Sequence, residues 1–206
     1  MDADRVNAEV QRLLDLAAAR SAARMDGSWK SDLSQLSTLE LHAFLVAGGI
    51  QLRRCDRPVD VLQRQALTLL VLLGESSGYE FGHGATRVVI IGRESVWKLA
   101  LNSHGDSISD IEARGAIAAP VAPARWRTVA GIRVLEMERV EVVDPDELGD
   151  DELAANPWWT DVDGWNFGRR QSGELVVFDA GQFGPGHRTI LPDRYRARLP
   201  LPHGHL

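Results

Sequence analysis

Cys55 is the only cysteine among the 206 residues, so no disulfide can form within the chain and nothing marks an oxidising compartment. Long apolar runs are missing too. The longest, Ala66 to Leu73, is interrupted by Thr68 and is far too short to cross a bilayer. The opening residues, Met1-Asp2-Ala3-Asp4, are acidic and lack the apolar segment of a signal peptide. Positive charge is also in short supply: 23 Lys and Arg against 29 Asp and Glu leave a formal net charge of -6. That balance argues against a protein held on nucleic-acid phosphates, which ordinarily presents a basic face. The expectation is a soluble, cytoplasmic protein with neither a membrane nor a nucleic acid as partner.

What is present is ordinary globular material. Hydrophobic residues make up 44% and charged residues 25%, enough for a real core in one domain or one domain with an extension. Residues 5 to 24 read as an amphipathic helix, with Val6, Val10, Leu13, Leu14 and Ala17 on one face. A capping box with a hydrophobic staple at Ser37-Thr38-Leu39-Glu40 opens a second helix, and Gly48-Gly49 stops it. A third runs from Pro58 to Gly74, its apolar second half reading as buried. Residues 1 to 74 thus form a helical extension without a cluster suited to chemistry. Packing, or association into a homo-oligomer, is the expected role.

From Gly78 the period becomes that of strands. Arg87 to Ile91 and Ser95 to Leu101 read as a hairpin, Ile108 to Ala118 as a helix, and Trp126 to Met137 as a second hairpin turning at Ala130-Gly131. An acidic stretch from Asp144 to Glu152 reads as a solvated linker or a short helix start. A third hairpin carries Asn166-Phe167-Gly168 on one arm and Leu175 to Phe178 on the other. From 182 the tail loses periodicity and reads as extended or partly disordered, with Arg188, Arg194, Arg196 and Arg198 making it the one locally basic stretch.

Several residue types suit phosphate chemistry. Phe81-Gly82-His83-Gly84 is a Gly-x-Gly turn leading into a strand; its amides can approach phosphate oxygens, although a tight hairpin turn would read the same. Lys98 sits in an otherwise apolar strand, either facing solvent or buried against an anion. Glu112, on the helix that follows, is a candidate partner or a surface carboxylate. Asp161 and Asn166 stand five residues apart on a loop rich in Gly and Asp, and Asp179 ends an apolar strand in Asp-Ala-Gly. Such acids and an amide can hold divalent metal and orient a hydroxyl. Weaker candidates are Asp161 with Asp163 as a bare metal site, His83 as a proton carrier, and His203 with His205 as a terminal metal site.

Taken in order, the Gly-rich hairpin, strand lysine, helix glutamate, Glu136-Met137-Glu138, Asp-x4-Asn loop and Asp-x-Gly resemble the protein-kinase-like superfamily. In particular they resemble its small members related to aminoglycoside phosphotransferases and phage-encoded kinase-like proteins. The resemblance covers Gly78 to Gly181. It implies an α+β fold: a kinase-like N-lobe antiparallel sheet with one helix, a minimal catalytic hairpin and the helical N-terminal extension. The chain would divide into residues 1–74, 75–181 and an extended tail at 182–206. The resemblance implies Gly82 and Gly84 over the nucleotide phosphates, Lys98 on the α- and β-phosphates held by Glu112, and Glu136 to Glu138 as a linker meeting adenine. Asp161 would accept or orient the attacking hydroxyl, and Asn166 with Asp179 would bind magnesium. The implied activity is ATP- and Mg2+-dependent phosphoryl transfer to a hydroxyl of a protein or small molecule. The alternative is a pseudokinase-like module that binds nucleotide or a protein without turnover. Arg87 replaces the third glycine, Trp159-Thr160 replaces the His-Arg before the catalytic acid, and Ala180 replaces the Phe of Asp-Phe-Gly. Only 25 residues follow Gly181, so most of the helical lobe that holds protein substrates is absent from the resemblance.

Overall fold

The stripe Val6, Val10, Leu13 and Ala17 lies on one face of helix α1 (Ala3–Met25), and all four residues are buried. They meet helix α2 (Val59–Leu73), whose second half is apolar on nearly every side and correspondingly buried from Ala66 to Val71 except at Thr68. The computed structural model describes residues 3–25, 56–73, 80–83, 86–162 and 166–184. The Ser37-to-Glu40 capping box, the Gly48-Gly49 stop, Gly84, Asp163, His203 and His205 lie outside those residues. Among the described residues, no helix is long and apolar enough to cross a membrane.

Five strands follow: β1 (Glu80–His83), β2 (Arg87–Ile91), β3 (Ser95–Ala100), β4 (Ala124–Val129) and β5 (Ile132–Glu138). They form one sheet in the order β1-β2-β3-β5-β4. The pairs β1–β2, β2–β3 and β3–β5 are antiparallel. The β4–β5 turn has positive φ at both Ala130 (48°) and Gly131 (79°), the mirror-image turn whose twist suits a two-residue hairpin. Side chains alternate between the two sheet faces. Val88, Ile90, Leu99, Leu101, Ile132 and Val134 share one core with α1 and α2. The N-terminal helices therefore cover one face of the sheet, and each fully buried Leu or Ile in that core stabilises the fold by about 1.5–3 kcal/mol.

Between β3 and β4 runs helix α3 (Ser103–Arg114), which begins five residues before the start read from the sequence. The Asn102 side chain accepts from the Gly105 N–H at 2.8 Å, a helix cap, and Asp56 accepts from the Ser103 N–H at 2.7 Å. Arg57 adds a bond to the Ala100 carbonyl at 2.8 Å and an ion pair with Asp106. The helix stops at Gly115, where φ is +60°. There Ala116 N–H reaches back to the Ile111 carbonyl (3.0 Å) and Gly115 N–H to Glu112 (3.1 Å), the paired bonds of a Schellman end.

By contacts the chain divides into two units: Met1–Ser109 with Arg125–Arg139, and Asp110–Ala124 with Val140–Leu206. In the first, the β2–β3 turn is held by Arg139, whose N–H bonds the Glu94 carbonyl and whose guanidinium bonds that of Gly92. The second carries a small sheet, β6-β7-β8, made of β6 (Glu141–Val142), β7 (Phe167–Arg169) and β8 (Leu175–Val177). Both of its strand pairs are antiparallel. The acidic stretch includes a short helix, α4 (Asp150–Ala155), with Leu153 buried. Val143, Leu148, Leu153, Trp159, Val162, Phe167, Leu175 and Val177 make this unit's own core. The architecture is α+β with antiparallel sheets.

Gly168 is the tightest point of the small sheet. A Cβ there would collide with the Glu141 carbonyl oxygen and come within 2.8 Å of Val140 Cγ2. Gly168→Ala must push β6 away from β7, and overpacking of this kind costs about 1–3 kcal/mol. Urea unfolding should show a lower midpoint at an unchanged slope; an unaltered midpoint would mean that β6 is not held against β7 as described.

Candidate functional site

The β7–β8 hairpin aligns Phe167 with Val177 and Arg169 with Leu175. Its ladder runs one residue further, because Phe178 N–H donates to the Asn166 carbonyl at 3.0 Å. Asn166 and Asp179 therefore lie at the same end of the hairpin. Trp158 meets Phe167 edge to face, with ring centres 6.1 Å apart, and Arg169 bonds Glu152 of α4 at 2.6 Å. That bond holds the Glu152 carboxyl below its ordinary value against the opposing effect of burial.

Beyond Asp179 the backbone turns sharply. Asp179 caps a short 3-10 turn (Ala180–Gln182), its Oδ1 accepting from the Gly181 N–H at 3.0 Å. The N–H between them, that of Ala180, donates to Glu112 Oε1 at 3.0 Å. Glu112 is 2% exposed, so this is a buried carboxyl on α3 and not a surface one. Past the turn, Phe183 bridges Val162 and Gly184 N–H donates to the Asp161 carbonyl at 2.7 Å. Asp161 is the last residue of another 3-10 turn (Pro157–Asp161), and Asp161, Asn166 and Asp179 are all half-buried. One short run, 179 to 184, thus ties Glu112, Asp161 and the hairpin end together inside one unit.

The remaining predicted positions lie in the other unit. Lys98 occupies the middle of β3 and is 4% exposed, which removes the reading of a solvent-facing lysine. It stands opposite Val89 on one side and Leu135 on the other, and Val89 stands opposite Gly82. These four therefore share the sheet face opposite the α1–α2 core, together with Ile91, Val96 and Met137. Buried Arg87 lies on that same face, opposite Ala100. Gly82 is a strand residue and not part of a turn: its neighbours pair throughout with β2. Glu136 and Glu138 are likewise inside β5, not in a linker. Glu136 accepts from Arg125 and Arg127 of the neighbouring strand at 2.7 and 2.8 Å. Burial alone would raise its carboxyl, but the two arginines outweigh burial and hold it below the ordinary value of 4.5.

The sign of that shift sets a pH prediction. A depressed folded value means the stabilisation is present above the unfolded value, near 4.5, and is lost as pH falls through the lower folded value. Stability of the wild type should fall more steeply below pH 4.5 than that of Glu136→Gln in urea titrations. Parallel curves would remove the arginines' hold on this group.

Among the described residues no three His, Cys, Asp or Glu side chains cluster as a metal cage. The donors at the hairpin end are one amide, Asn166, and one carboxylate, Asp179. That set suits magnesium, which takes one or two protein oxygens and completes its shell with phosphate oxygens and water. What sequence reading missed here is the return of the chain, with Gly184 on Asp161 and Phe183 on Val162. Those contacts carry no local signature, but Asp179-Ala180-Gly181 itself reads as an Asp-capped turn. Comparison with known proteins adds no further constraint: no family model matches the chain, and neither curated proteins nor solved structures give a match.

Proposed function

We propose that the chain is a kinase-like phosphotransferase that uses ATP and Mg2+ to phosphorylate a hydroxyl. The observation that carries this reading is the run 179 to 184, which leaves the hairpin end where Asn166 and Asp179 lie and bonds Glu112 through the Ala180 N–H and the Asp161 carbonyl through the Gly184 N–H. A buried carboxyl that accepts the N–H next to Asp179 fixes the turn and the direction in which the Asp179 carboxylate leaves it. Asn166, paired across the ladder, supplies the neighbouring oxygen. Together they would hold magnesium, which neutralises charge on the phosphates as the bond to the transferred group changes hands. Asp161, half-buried and anchored through its own carbonyl, would orient the hydroxyl and accept its proton.

On the sheet, Arg87 and Lys98 support an anionic ligand. Both are buried on one face of the sheet, and their charge has the sign that phosphate oxygens would meet. Half-buried Val89, Ile91 and Val96 beside them offer an apolar surface suited to a nucleobase. Added ATP and magnesium should raise the melting temperature, and labelled γ-phosphate should pass to an acceptor or to the protein itself. Nucleotide binding without transfer would favour the pseudokinase-like alternative, and no response to millimolar ATP would remove every nucleotide role and leave only a module that binds a protein.

A further inference from the structure

Strand β4 lies at the margin of the five-stranded sheet, paired with β5 on one side only among the described residues. A marginal strand presents a row of backbone N–H and C=O groups that an added strand can complete. The sequence of β4, Ala-Arg-Trp-Arg-Thr-Val, carries two arginines and no acid. Arg125 and Arg127 leave the same face, with side chains 64% and 47% exposed, and both bond Glu136. Two guanidiniums carry about ten N–H donors, whereas one carboxylate offers about four acceptor sites, so donors remain for further carboxylates. On the other face the Arg133 guanidinium stacks on Trp126, 3.6 Å from the ring centre. Cationic groups therefore flank this strand on both faces, within a chain whose net charge is -6.

The geometry points to β4 as a docking edge for an extended acidic segment of another protein, added alongside it as one more strand. A second copy of this chain is the wrong occupant, because β4 against β4 would set arginines against arginines. The fitting segment has acidic residues at alternate positions, facing Arg125 and Arg127, with apolar residues between them over Trp126. This inference stands apart from the nucleotide reading: none of the residues it uses is assigned to phosphate or metal, and Glu136, implied above as part of an adenine linker, has its side chain engaged by the arginines.

The probe is a fluorescein-labelled peptide alternating glutamate and valine, titrated into the full chain and followed by anisotropy. Binding should weaken as salt rises. It should fall about tenfold or more in the Arg125→Ala, Arg127→Ala double variant, assayed below its own melting temperature, which loss of the bonds to Glu136 lowers. Two N-methylated peptides, each blocking one backbone edge, test the strand pairing on the wild type and so need no variant to fold. One of the two must lose binding. Retention by both would reduce the effect to charge alone and overturn the proposal. So would absence of binding, or tighter binding of a single-stranded thymidine oligonucleotide.

Discussion

Asp179→Ala is expected to melt at the same temperature with and without ATP and magnesium, whereas the wild type melts well above its own baseline when both are added. A ligand in hundredfold excess over its Kd stabilises the folded state by about 2.7 kcal/mol. For a chain of this size that corresponds to roughly 5–10 °C. Removing the Asp179 carboxylate deletes the only acidic metal donor assigned at the hairpin end, so the nucleotide should lose its grip at the phosphates. It also removes the cap on the Gly181 N–H, which alone lowers the baseline by about 0.5–2 kcal/mol. Asp179→Asn separates the two effects, because its side-chain oxygen can still accept from Gly181 while the charge is gone. The asparagine variant should recover the baseline but not the response to ATP. A full response from it would take Asp179 out of the metal site.

The second large effect concerns Glu112. In Glu112→Ala the Ala180 N–H loses its buried acceptor, at about 1–3 kcal/mol for the unsatisfied donor, and the space left by the side chain adds to the loss. The turn that carries Asp179 is released at the same time. The variant should therefore show both a lower urea midpoint and no melting shift with ATP. Glu112→Gln keeps the shape and one acceptor oxygen. It should retain most of the stability and place Asp179 nearly as before, so any remaining defect in phosphate transfer reports the missing negative charge. Equal damage from both substitutions would mean that charge, and not the bond to Ala180, is what this position supplies.

The elements that could be read from the sequence are those that local periodicity decides. Val6, Val10, Leu13 and Ala17 recur at helical spacing, and α1 forms as that spacing requires. Alternation with a turn at Ala130-Gly131 was enough for the β4–β5 hairpin. Helix α3 begins earlier than the apolar pattern indicates, because Asn102, its cap, and Asp56, its partner from 47 residues away, add nothing to that pattern. Gly115 marks its end. Strand β6 has two residues and exists through its pairing with β7, so no window of sequence reveals it. Residue types, spacings and the resemblance name Glu112, Asp161, Asn166 and Asp179 as candidates from the sequence alone. The path by which the backbone from 179 to 184 returns to join them depends on tertiary contacts. The same limit explains Gly82 and Glu136. Their neighbours suggest a loop and a linker, and each sits in a paired strand.

The latch of Arg139 on the β2–β3 turn has a consequence for how this chain can vary. Lys98 and the core residue Leu99 differ only in parity, one pointing to each side of the sheet. Inserting or deleting a single residue between Gly92 and Ser95 would shift the register of β2 against β3 by one position. Lys98 would then stand opposite Val88 or Ile90 and share their face, which would drive the lysine into the apolar layer of α1 and α2. Changes by two residues preserve parity, but they displace the Gly92 and Glu94 carbonyls that Arg139 grips. Substitutions can accumulate in this turn, whereas its length is closed to drift.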